Sequence, residues 1–243
     1  ANNFELIAGL SALLQTPQNH FAIEPRLGVK WDFRPRQTLG FGYGLHSILA
    51  PIDFVQQQYI GPDGESIIPN KNLDITKSHH FIVGYDRLFA RNIRLKTELY
   101  YQYIYDAVVE QAPSAYSMLN RGAYSINGIE AFSNDVELLT NGGKGFNYGT
   151  EITLEKFMDK GMYFLSTLSI YESKYKGSDG VLRNNAFNGN YVWNLLGGKE
   201  FAIGQKNGDA KFRKRLVLDA KINWAGGQRD TPIDLDASRS TGR

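Results

Sequence analysis

The residues best suited to chemistry in this chain are few, and each set lacks a part. Gly40, Gly42 and Gly44 form a GxGxG. Phosphate-binding loops place such glycines between a strand and a helix N-terminus, and no helical pattern follows here. The glycines alternate instead with Leu39, Phe41, Tyr43 and Leu45. That pattern is one strand face kept clear for something bulky to approach. His79 and His80 are neighbours, so in a strand they leave on opposite faces and cannot share one metal ion. His20 and His46 stand alone, and Asp234-Leu235-Asp236 lacks the glycine and distal glutamate of a calcium loop. With no cysteine, disulfides, thiolate zinc sites and cysteine nucleophiles are excluded. No Ser/His/Asp set has supporting local context, and no two carboxylates are placed at a catalytic separation. The chain is therefore expected to be no enzyme and to hold neither metal nor cofactor.

Charge narrows the classes further. A net charge of +2 gives no electrostatic case for nucleic acid. The 42% hydrophobic and 21% charged composition is that of a folded chain. Tyr 14, Phe 14 and Gly 25 favour β-structure.

About nine strands are expected from period-two alternation. In Ile93–Tyr105, Ile93, Leu95, Thr97, Leu99, Tyr101, Tyr103 and Tyr105 face one way, opposite Arg94, Lys96, Glu98, Tyr100 and Gln102. Phe21–Phe33, Leu216–Trp224 and Tyr148–Phe157 alternate in the same manner, and Phe4–Leu14, Thr38–His46, His79–Phe89, Met162–Glu172 and Tyr191–Phe201 complete the set. Several exceed the usual length of soluble strands and match the roughly 9–11 residues of a tilted membrane-crossing strand. The connections alternate between short (Arg34–Gln37, Ala90–Asn92, Asp159–Gly161, Gly204–Lys211) and long (Ile48–Lys77, Asp106–Asn147, Tyr175–Asn190). One rim would then carry turns and the other all the large loops, as in outer-membrane β-barrels.

Arg94, Lys96, Lys30 and Lys221 fall on the polar face. Arg87, Lys156 and Lys199 fall on the apolar face, but beside expected short turns, where a cation at the interface costs little. Pro25 removes a ladder donor in mid-strand and predicts a bulge or interrupted pairing. A soluble β-sandwich or barrel, or a soluble all-β binding domain, would alternate too, with shorter strands and more even loops. No apolar run reaches the length of a transmembrane helix, and no signal peptide opens the chain. Ala1 is read as lying inside a longer protein.

Ordered motifs then carry a family resemblance. Glu24-Pro25-Arg26 with Gly28, Lys77-Ser78-His79-His80-Phe81, Leu95–Gln102, Ser117-Met118-Leu119-Asn120 and Asn147-Tyr148-Gly149 with Glu151 occur in sequence. Ser173-Lys174-Tyr175 with Asp179-Gly180, Gly197–Phe201, Trp224–Gly227 and Thr231–Asp234 follow. The set resembles TonB-dependent outer-membrane receptors of the Bacteroidetes type along essentially the whole chain. The resemblance implies an all-β fold, an antiparallel transmembrane segment of about nine strands from a 22-stranded barrel. Residues 1–243 would form the central-to-late part of one multi-pass barrel domain, with the plug domain and remaining strands outside this chain.

That resemblance implies energy-coupled uptake of a scarce nutrient, whether siderophore, vitamin or glycan. The partners would be outer-membrane lipid, the plug, the missing strands, the TonB energy-transducing complex and a small-molecule or glycan ligand. A passive porin is the competing membrane reading, and an outer-membrane enzyme or adhesin a third. Phe54, Tyr59, Tyr116, Tyr124 and Phe132 in the long loops are the candidate ligand contacts, unless these loops pack on one another as a lid. Glu24, Arg26, Gly40, Gly42, Gly44, Arg94, Lys96, Glu98, Glu151, Glu155, Asp219 and Lys221 are expected to face the lumen or plug, the charges forming cross-strand pairs.

Overall fold

The computed structural model describes residues 3–15, 20–60, 63–89, 91–123, 138–203 and 214–229. In chain order the strands are β1 (Phe4–Gln15), β2 (His20–Arg34), β3 (Gln37–Ile48), β4 (Tyr59–Ile60), β5 (Ser66–Ile67) and β6 (Thr76–Phe89). They continue with β7 (Ile93–Glu110), β8 (Leu139–Asp159), β9 (Met162–Lys176), β10 (Leu182–Asn184), β11 (Tyr191–Ile203) and β12 (Lys214–Ala225). One helical turn, Ile52–Val55, and a 3-10 turn, Met118–Ala123, lie in the long connections.

Nine long strands form one antiparallel meander, β1-β2-β3-β6-β7-β8-β9-β11-β12, with β10 folded back on β9. The sequence expectation of nine strands matches this path. Tight turns join β2 to β3 through Arg36 (φ 61°) and β8 to β9 through Lys160 (φ 50°) and Gly161 (φ 72°). Ala90 and the expected turn Gly204–Lys211 lie outside the described residues.

The apolar face of the meander is open. Leu10 is 74% exposed, Leu99 57% and Trp224 59%. A sandwich would bury this face against a second sheet, but among the described residues the only other sheet is the two-residue pairing of β4 with β5. The basic residues on that face behave as expected near the turns. Lys156 Nζ donates to the Met162 carbonyl at 3.2 Å and Lys199 Nζ to the Lys160 carbonyl at 3.4 Å. Arg87 lies 4.3 Å over the Phe89 ring. Each side chain bends its charge toward the rim, as long cationic side chains do at an interface.

Pro25 interrupts pairing as expected. It stays in the β1 ladder opposite Leu10, but the β2–β3 ladder starts one residue later, at Arg26 opposite Gly44. The Ser47 N–H beyond that point donates to Glu24 Oε1 at 2.8 Å. A carboxylate thus stands in for the missing strand carbonyl, satisfying a backbone donor that would be costly to leave unpaired.

The long connections need correction. β7 runs through Asp106 to Glu110 and β8 begins at Leu139, so the connection read as Asp106–Asn147 contains a strand extension on each side. Asp106 (φ 55°) sits at the register shift between Ile104 and Ala107. The run Asn141-Gly142-Gly143-Lys144-Gly145 imitates a loop because glycine erases alternation. Its glycines serve close packing: a Cβ on Gly143 would lie 2.5 Å from Val109 Cγ1, and one on Gly145 2.8 Å from Leu119 Cδ1. Above the strands Val55, Leu73 and Val108 form a small core, with Ala50, Met118 and Leu139 packed on it.

Candidate functional site

The polar face is built by register. Arg26 on β2 pairs with Gly44 on β3, Glu24 lies two residues along the same face of β2 opposite Ser11, and Gly40 pairs with Gly84 on β6. Arg94, Lys96 and Glu98 on β7 pair with Glu155, Thr153 and Glu151 on β8. Asp219 and Lys221 on β12 pair with Gly198 and Leu196 on β11. Alternation along each strand therefore puts all twelve sequence-predicted wall residues on one side of the sheet, opposite the exposed apolar face.

The ion pairs meet the cross-strand expectation in part: Arg94 with Asp86 and Arg215 with Glu200 join neighbouring strands, and two others do not. Glu24 with Arg26 (3.3 Å) and Lys96 with Glu98 (2.7 Å) join residues two apart on one strand. Arg94 reaches diagonally across to Asp86, its Nε 3.0 Å from Oδ1. Glu151 accepts from Ser169 Oγ at 3.1 Å and Asp219 from the Tyr163 hydroxyl at 2.7 Å. Same-face neighbours two apart lie within reach of long side chains, so a direct cross-strand partner is unnecessary.

Two features of this face were not foreseen. The first is a trough of about 270 Å³. Gly28 pairs with Gly42, and Gly40 with Gly84, so four glycines from three strands form its floor, with Ile7, Ile82 and Glu98 at its sides. A Cβ on Gly40 or Gly42 would meet nothing closer than 3.8 Å. Gly44 differs, because a Cβ there would come 2.8 Å from His46 Nε2. The bulky neighbour at Gly44 is this chain's own imidazole. Gly28 and Gly84 carried a signal only as small residues among alternating apolar ones; pairing decides that they meet Gly40 and Gly42.

The second feature is an uncharged hydrogen-bonded belt near the long-loop rim. The Gln102 amide nitrogen lies 2.6 Å from His80 Nε2 and donates to Ser78 Oγ at 3.0 Å. Asn147 donates to Gln102 Oε1 at 2.7 Å, Ser173 Oγ donates to Asn147 Oδ1 at 2.6 Å, and Asn188 Oδ1 accepts from the Ser173 N–H at 3.0 Å. The His46 and His80 ring centroids lie 4.5 Å apart, with the ring planes tilted by 57°. Among the described residues no group of three metal-ligating side chains forms. His79 leaves on the apolar face, with Nδ1 3.0 Å from the Tyr43 hydroxyl.

Among the loop candidates, Phe54 is 4% exposed and lies inside the loop packing rather than on its surface. Tyr116 is half-buried. The side chain of Tyr59, and all of Tyr124 and Phe132, lie outside the described residues. In the loop after β9, Asp179 accepts from Arg183 at 2.8 and 2.6 Å and from the Val181 N–H at 3.0 Å. The Arg183 guanidinium holds the Asp179 carboxyl below the usual aspartate range.

Solved structures share that geometry. The outer membrane transporter YddB from Escherichia coli has the same fold at a TM-score of 0.56, with 13% identity, covering 92% of this chain and 36% of that one. The ferric-catecholate import receptor Fiu from K12 E. coli gives 0.55 with 11% identity over 82% of this chain and 30% of that one. The FrpB iron transporter from Neisseria meningitidis gives 0.51 with 14% identity over 92% and 35%. The chain therefore spans about a third of the length of these proteins. No curated protein matches the sequence. The profile of the family described as TonB dependent receptor-like, beta-barrel matches residues 6–235. With its open apolar face, its polar opposite face and nearly its whole length inside that match, the chain belongs to the TonB-dependent receptor family as part of its outer-membrane β-barrel.

Proposed function

We propose that this chain is part of the wall of a receptor that takes up a scarce nutrient (siderophore, vitamin or glycan) across a bacterial outer membrane with energy supplied through TonB. The apolar face meets lipid, and the polar face, with its twelve sequence-predicted residues, lines the lumen. The glycine-floored trough carries the reading: four glycines from three strands leave a recess in the wall, and an open, water-filled pore has no need of one. A plug domain from the same protein would seat against it. Further strands would close the wall, because an unpaired sheet edge in lipid is costly. The packed long-loop assembly holds the ligand-binding surface, and no catalytic step is assigned. The motifs shared with Bacteroidetes receptors support an origin in that group.

The test uses the full-length native protein. It should fractionate with outer membranes and migrate in a heat-modifiable way on gels. A deletion strain should lose growth on one scarce nutrient, and loss of the energy-transducing complex should have the same effect. Uptake that persists without that complex, with unselective swelling of proteoliposomes, would establish the porin instead.

A further inference from the structure

Four connections at the long-loop rim are joined to one another, chiefly by asparagines. They are the chain between β3 and β6, the outer ends of β7 and β8 with residues 111–123, the chain between β9 and β11, and the stretch 226–229 beyond β12. The first is tied to the second by Asn70 Oδ1, which accepts from the Leu139 N–H at 2.9 Å. Asn141 adds a reciprocal tie, accepting from the Asp74 N–H at 2.8 Å and donating to the Asp74 carbonyl at 3.0 Å. The second is tied to the third by Asn120 Oδ1, which accepts from the Ala186 N–H at 2.8 Å, and by Asn185 Nδ2, which donates to the Leu119 carbonyl at 2.8 Å. Ser178 Oγ donates across the same junction to the Ala112 carbonyl at 2.6 Å. The third is tied to the fourth by Arg229, whose backbone N–H donates to the Ala186 carbonyl and whose Nε donates to the Asn188 carbonyl, both at 2.9 Å.

These ties lie inside the assembly: Asn70, Asn120, Asn185 and Asn188 are all buried. An amide side chain donates and accepts at once, so it can replace the ladder that irregular chain lacks. Pulling two connections apart would strand several buried donors and acceptors together. Backbone also meets backbone where glycine permits it. A Cβ on Gly177 would fall 2.4 Å from the Ser114 carbonyl oxygen, and one on Gly189 2.9 Å from that of Gly226. Contacts that close leave no room for sliding, because packed interiors shift between discrete arrangements rather than deform. The aliphatic core of Val55, Leu73 and Val108 spans the first two connections.

We propose that these four connections form one preassembled body that stays closed during the transport cycle, a fixed side of the receptor's outer mouth rather than a set of lids that part in turn. Opening for substrate then falls to elements outside this body. Only the reference to a transport cycle rests on the uptake reading; the union of the four connections stands on the bonds between them.

Two experiments on the full-length receptor test this. In the first, hydrogen exchange is followed by mass spectrometry after Asn70→Ala, a change at one end of the body. Amides of residues 183–190, at the other end, should exchange about tenfold faster, together with those of residues 112–120. A rise confined to residues 70–75 and the start of β8 would overturn the union. In the second, Ser117→Cys puts a thiol where the native residue is 1% exposed. A membrane-impermeant maleimide is applied to cells growing under conditions where a deletion strain fails. Glu65→Cys, at an exposed position, gives the rate for an open thiol. The Ser117→Cys thiol should react about a hundredfold more slowly than that control, and equally in energised cells and in cells treated with a protonophore. Faster labelling in energised cells, or labelling as fast as the control in both, would overturn closure. A deletion strain with no growth defect would refute the uptake reading, and the exchange result would still decide the union.

Discussion

The long-loop assembly and the nine-stranded wall bury their side chains in opposite ways. In the loops Val108 is 1% exposed, Leu73 5% and Asn188 0%. In the wall Leu10, Leu14 and Trp224 are 74%, 67% and 59% exposed. The loops are organised like a small soluble protein, with an aliphatic core and asparagines bonded to backbone groups. The wall has no such core. Its order comes from the hydrogen-bonded ladder, and its apolar area is removed from water by lipid. A cavity should therefore disrupt the loops, and a misplaced charge should disrupt the wall.

The largest effect is expected in the loop core. Leu73→Ala should cost about 2–5 kcal/mol of local stability. Hydrogen exchange should loosen across the β6 approach and the β7–β8 extension, while heat-modifiable migration of the barrel stays intact. Loss of both together would mean that loops and wall form one cooperative unit. Next, Leu99→Arg places a cation in the middle of the lipid-facing row and should cost about 2–4 kcal/mol, read as reduced refolding yield into bilayers. If Leu99→Arg were neutral, the lipid-facing assignment of that face would be wrong.

Smaller effects sharpen the contrast at the junction. Glu24→Ala leaves the Ser47 N–H without its acceptor and should cost about 1–3 kcal/mol. Glu24→Gln keeps an acceptor and should cost less, as denaturant titration of the refolded receptor would reveal. The smallest is the acid response of the loop after β9. Arg183 lowers the Asp179 carboxyl, so its contribution is complete above the ordinary aspartate value of about 4 and disappears as pH falls through the lowered one. Limited proteolysis should show that loop opening earlier in acid for Arg183→Gln than for the native chain. Asp179→Asn should remove the pH-dependent part altogether.

Most of the wall was legible beforehand because each strand carries its own record. Ile93–Tyr105 alternates without interruption, and β7 begins at the expected residue. Its far end was missed: Ala107, Val108 and Val109 break alternation because all three are buried, at 1% exposure each. The start of β8 was missed for the opposite reason, since its glycines carry no side chains to alternate. Pro25 was read correctly as an interruption, but Ser47 lies 23 residues from Glu24, and nothing local links them. Among the site residues the shared face was readable, whereas the partner of each charge was not.

Local chemistry alone settled the path of the nine long strands, their two faces and the described short turns at one rim, because strand periodicity and turn preference act over a few residues. Folding in three dimensions settled which glycines meet to hollow out the trough, that the His46 imidazole lies beside Gly44, and that Glu24 reaches the Ser47 N–H. Those meetings depend on the pairing register between strands, and register is a property of two segments at once. A single strand, read by itself, contains only half of that information.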